Sequence, residues 1–160
     1  MSKPAPKFQL AATSTERIVG VPYSQPKVLV LLFQDENTAE VAREVNQTIR
    51  AVHEDVEDLI VATLVDMSGV PRFMRKMGQK MLLKAYQDAA EKIELADGVD
   101  PADFIVLLPD WSGDTFRIFQ VGDVSRKALM VIIDHEGNIV FRRQGGNLGK
   151  AALAQLDKLI

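Results

Sequence analysis

At 160 residues with 47% hydrophobic and 26% charged side chains, the chain has the composition of one globular domain with a core large enough to need no covalent staples. Its 22 acidic and 19 basic residues leave a formal net charge of −3, which opposes the basic excess that a dedicated nucleic-acid binder uses to displace counterions. There is no cysteine, so disulfides, thiolate zinc centres, iron–sulfur clusters and thiol catalysis are excluded.

Residues 1–26 read as a lead-in broken by Pro4, Pro6, Pro22 and Pro26, with short strands near 8–10 and 17–19. The opening 1–6 has no apolar core, so no signal peptide is expected. No apolar run reaches the ~20 residues a membrane-spanning helix needs, and the expected location is the cytoplasm. Residues 27–33 (KVLVLLF) are an uninterrupted apolar run of strand length, the pattern of a strand covered on both faces. Asn37 or Thr38 is placed to cap a helix whose apolar stripe is Val41, Val45, Ile49 and Val52. A second buried strand follows at 59–65 (LIVATLV).

The pattern then predicts a helix over 71–95, with Pro71 in its first turn and Gly78 as a weak point. A third buried strand is expected at 104–108, ended by Pro109, with a short helix near 112–119. Residues 129–133 (LMVII), the turn 134–137 and residues 138–141 read as a β-hairpin. Gly145 and Gly146 make a turn, and Asn147 caps a last helix with Leu148, Ala152, Leu156 and Leu159 inward. Strands separated by helices imply parallel neighbours, and the hairpin adds antiparallel pairing, so a mixed sheet is expected.

Four stretches resemble the redoxin and peroxiredoxin branch of the thioredoxin superfamily. They are the opening PAPKFQL at 4–10, the strand at 27–33, LPDWSGD at 108–114 leading to Phe119-Gln120-Val121, and VIIDHEGNIV at 131–140. The resemblance implies an α/β fold, a three-layer α/β/α sandwich whose mixed central sheet ends in a hairpin and a helix. It implies one such domain over 27–160. The family sets its redox cysteine at the start of the helix after the first core strand. Thr38 and Val41 occupy the positions a CxxC pair would take there. The cis-proline that thioredoxins place before the hairpin strand corresponds to Ala128, for which a trans peptide is expected. Both halves of the redox site are thus replaced, and no cofactor is expected.

Two surfaces could carry another activity. Asp35, Glu36, Asp66 and Asp110 each follow a core strand, on the sheet edge where α/β folds bind ligands. Converging carboxylates would suit Mg²⁺ or Ca²⁺ in a metal-dependent enzyme; the alternative, and the expected one, is that they cap helices. The segment 71–84 is the more unusual. Val70, Met74, Met77, Met81 and Ala85 fall on one helical face with Phe73 at its edge, and Arg72, Arg75, Lys76 and Lys80 gather opposite. The expectation is a core-facing Met stripe with a solvated basic face; the alternative is a docking surface for a protein partner or an anionic surface. A homodimer is also compatible with the chain. His53 and His135 are expected on the surface, and Trp111 as a lid over the core edge. The run 145–150 (GGNLGK) lacks phosphate-loop spacing and the Ser or Thr that would meet Mg²⁺, so it reads as a turn and a helix start. The resemblance and the missing thiols together lead to a redox-inactive binding or interaction module.

Overall fold

The apolar run before residue 34 becomes the centre of the sheet. The computed structural model describes residues 3–15, 17–22, 27–54, 58–92 and 100–160. In chain order they form β1 (Lys3–Pro4), β2 (Phe8–Ala11), β3 (Ile18–Val21), β4 (Val28–Gln34), α1 (Ala39–Val52), β5 (Leu59–Asp66), α2 (Arg75–Lys92), α3 (Pro101–Phe104), β6 (Val106–Asp110), α4 (Asp114–Ile118), β7 (Leu129–Ile133), β8 (Asn138–Gln144) and α5 (Leu148–Leu159). The main sheet has the order β1-β8-β7-β4-β5-β6, and β2 pairs with β3 in a separate hairpin. β4, β5 and β6 run parallel, while β7 is antiparallel to β4 and β8 to β7. This is the mixed sheet, flanked by helices, that the element order implies.

All seven residues of β4 are buried, as a strand covered on both faces requires. Alternation sends Leu29, Leu31 and Phe33 to one side and Val28, Val30 and Leu32 to the other. The first side is closed by Phe8 and Val19 of the β2–β3 hairpin and by Phe116 and Phe119. Phe33 meets the Phe116 ring edge-on at 5.1 Å between centroids, a geometry that adds to simple area burial. The second side is closed by α1 and α5 through Ala42, Val45, Ile49, Leu148, Ala152 and Leu156.

Several local expectations are corrected. The buried face of α1 is Ala42, Val45, Asn46, Ile49 and Arg50, and Val41 and Val52 are exposed. The rotation is stabilised by polar bonds to distant backbone. Asn46 Nδ2 donates to Phe104 O at 3.0 Å, and Arg50 Nη2 donates to Leu59 O at 2.8 Å. Pro109 lies inside β6 instead of ending it; β6 is an edge strand, where a missing N–H is tolerated. The short helix is confined to Asp114–Ile118, entered through Gly113 at φ 78°. At φ 60°, Asn147 sits before α5 without a side-chain capping bond. His53 is largely buried instead of on the surface, with Nε2 3.9 Å from Asp157 Oδ1. Of the helix expected at 71–95, positions 93–95 lie outside the described residues.

Candidate functional site

The β4–α1 turn is built by one carboxylate and one hydroxyl. Asp35 Oδ1 accepts the Asn37 N–H at 2.8 Å and the Thr38 N–H at 3.3 Å. Asp35 thus shapes the turn that leads into Thr38, the N-cap residue of α1, whose own side chain makes no capping bond to the helix. Thr38 is 2% exposed. Its Oγ1 accepts the Asp35 N–H at 3.0 Å and donates to Val124 O at 2.9 Å. That second bond ties the helix start to the loop entering β7. Ala128 is buried in the same loop, one residue before the Leu129–Phe33 register pair, and its peptide is trans. Val41, by contrast, is exposed on the first turn of α1.

The other strand-end acids are engaged locally. Asp66 Oδ1 accepts the Ser68 N–H at 2.9 Å and the Ser68 hydroxyl at 2.6 Å. Asp110 is buried, and its Oδ2 accepts the Phe116 N–H at 3.0 Å. Asp66 and Asp110 are register partners across β5 and β6, Asp35 belongs to the β4–α1 turn, and Glu36 is exposed. Among the described residues no group of three His, Asp or Glu side chains could hold a metal ion. The hydrogen bonds these acids make are those of caps and turns.

The segment from Pro71 is organised differently from expectation. Pro71 is extended, Arg72–Met74 form a 3₁₀ turn, and α2 begins at Arg75. Its inner face is Gly78, Leu82 and Tyr86, spaced by four residues. Gly78 does not break the helix. It lies under the indole: a Cβ there would stand 3.3 Å from Trp111 Cη2 and 3.4 Å from Met67 Cε. Trp111 thus packs beneath α2, and the Arg75 guanidinium lies over its ring at 4.7 Å from the centroid.

Seating this face inward turns the methionines outward. Phe73 is 87% exposed, Met81 65%, Met77 57% and Met74 38%. The core-facing Met stripe is therefore corrected: Met77 and Met81 each stand one position before an inner residue, which turns them about 100° away onto an open flank, and Met74 lies in the 3₁₀ turn ahead of α2. Sequence reasoning missed Gly78, Leu82 and Tyr86 as the packing face, although their regular spacing was visible. The cations divide into two groups. Arg72 and Arg75 line a cleft with Trp111, while Lys76 and Lys80 stand exposed along the helix. Among the described residues none of the four has a carboxylate within the 4.0 Å of an ion pair. Tyr86, at the inner end, has its phenol pushed above the ordinary 10.0 by burial and then by the charge of Asp100.

No family model and no curated protein sequence matches the chain. Solved structures do. The exposed lipoprotein thioredoxin Etrx1 of Streptococcus pneumoniae is 18% identical at a TM-score of 0.66, over 96% of this chain and 100% of that one. An uncharacterized conserved protein of Geobacillus kaustophilus is 13% identical at 0.68, over 99% and 81%. A thiol-disulfide oxidoreductase of Bacteroides fragilis is 13% identical at 0.65, over 96% and 99%. No helix among the described residues is long and apolar enough to cross a membrane. The chain has the thioredoxin-like fold and, lacking any cysteine, carries out neither thiol–disulfide exchange nor thiol peroxidation.

Proposed function

We propose that the chain is a redox-inactive thioredoxin-like module that binds an acidic protein segment along the open side of α2. The observation that carries the reading is the exposure of Phe73, Met77 and Met81 beside Lys76 and Lys80, cations that have no ion-pair partner among the described residues. An exposed Phe–Met row is costly to leave in water, and Met adapts its shape to a partner. The segment Met67–Gln87 contains five Lys or Arg and no acid, so a partner with both apolar and acidic side chains is complementary to it. Thr38, Val41 and Ala128 stand where the resemblance puts the redox residues; in this reading none of them carries chemistry, and Thr38 alone fixes the helix start to the loop before β7.

The test is a photo-cross-linking residue at Met77, with a control at exposed Ala154 on α5, irradiated in native lysate. An acidic protein captured at Met77 in a salt-sensitive manner, and not at Ala154, supports the proposal. Equal labelling at both sites would overturn it. Capture of lipid in place of protein would reassign the surface to an anionic bilayer.

A further inference from the structure

Beside the start of α2, a cleft of about 520 Å³ opens at the C-terminal end of β6. Arg72 and Arg75 form one wall, Trp111 and Ser112 the base, and Leu10 of β2 the far side. We infer that this cleft is a binding site for a small carboxylate with an apolar body, gripped by Arg72 and Arg75.

Three features support the inference. The first is pre-organisation. Gly78 lets the indole lie against α2, and the indole holds the Arg75 guanidinium over its face at 4.7 Å. Stacking occupies the face of a guanidinium and leaves its N–H edges free to donate. The second is available donors. Among the described residues neither arginine meets a carboxylate within ion-pair distance. Ser112 Oγ accepts the Asp114 N–H at 3.2 Å, which leaves its own proton free for a ligand. The third is charge. Two guanidiniums and the buried Asp110 carboxylate leave one net positive charge in the cleft. That matches a monoanion, and a planar carboxylate accepts paired N–H donors from arginine. Val70, Leu10 and Pro109 offer the apolar contacts for its body. This site is separate from the proposed docking face: it uses the arginines and the indole, not Lys76, Lys80 or the methionines.

Trp111 is the only tryptophan in the chain, so its fluorescence reports on the cleft directly. Hexanoate is titrated at constant ionic strength against hexanamide, its neutral counterpart, with amide chemical shifts of Trp111 and Ser112 as a second readout. The expected result is a saturable response to hexanoate and none to hexanamide. Arg72→Gln should weaken binding about tenfold or more, the loss of a charge-assisted hydrogen bond, while Lys76→Gln with Lys80→Gln leaves it unchanged. An N-acetylated Leu-Leu dipeptide, as free acid and as amide, distinguishes a peptide C-terminus from a small acid as the source of the carboxylate. Equal responses to acid and amide in both pairs, or an Arg72→Gln protein that binds as the parent does, would overturn the site.

Discussion

Thr38 and Val124 are joined across 86 residues of sequence by a 2.9 Å hydrogen bond from the threonine hydroxyl to the valine carbonyl. The same oxygen accepts the Asp35 N–H, so one buried side chain fixes both the β4–α1 turn and the loop before β7. Thr38→Val keeps the shape and removes both bonds. The unpaired carbonyl and N–H should cost about 1–3 kcal/mol, read as a lower urea midpoint with an unchanged slope. A midpoint equal to that of the parent would show that the loop is held by other contacts.

Gly78 and Trp111 make a second local test. A larger side chain at 78 must take the space where the indole rests, since even a Cβ would stand 3.3 Å from the ring. Gly78→Leu should displace Trp111 into water, shift its emission to the red and cost about 1–3 kcal/mol, the usual range for overpacking. Unchanged emission would mean that the indole does not sit under α2.

The strands were legible in the sequence because a strand buried on both faces leaves a continuous apolar run, as 27–33 and 129–133 do. The hairpin was legible because Gly137 at φ 82° meets the need of a tight turn for a left-handed residue. The helix faces were harder. In α1 the buried positions include Asn46 and Arg50, whose partners are backbone carbonyls of Phe104 and Leu59. Hydropathy cannot reveal a burial that distant carbonyls stabilise. In α2 the methionines outweigh a packing face that contains a glycine, and the partner of that glycine, Trp111, lies beyond the next strand. Thus the sheet could be read from local pattern, while the orientation of the basic segment depended on a tertiary contact.

Tyr86 gives a pH prediction. Its phenol is raised above 10.0 by burial first and by the negative charges of Asp100 and Asp103, against a hydrogen bond with Ser14. A raised value means that the folded chain holds the phenolic proton more tightly than the unfolded chain. The stabilisation is complete below the ordinary value and is lost as pH rises through the folded value. Melting midpoints should therefore fall from about pH 10 upward, and Tyr86→Phe should show a shallower fall. Parallel curves for the two proteins would contradict this.

Lys76 and Lys80 are exposed and have no ion-pair partner among the described residues. Replacing both with Gln should change unfolding free energy by no more than about 0.5 kcal/mol. The same pair of changes should weaken capture of the acidic partner at low salt, where screening is least. A large loss of stability would mean that the lysines belong to the fold and not to a surface.

The proposed function requires the Met face of α2 to be open in the free chain and covered by a partner. Brief peroxide oxidation with peptide mapping measures this on the unaltered, isotope-labelled protein. Sulfoxide forms according to exposure, and Met130, fully buried in β7, supplies the protected reference. The prediction is fast oxidation of Met77 and Met81 in the purified chain, with slowing relative to Met67 in native lysate that is relieved by added salt. If Met77 and Met81 are as protected as Met130 in the purified chain, or react identically with and without lysate, α2 does not present the proposed docking face.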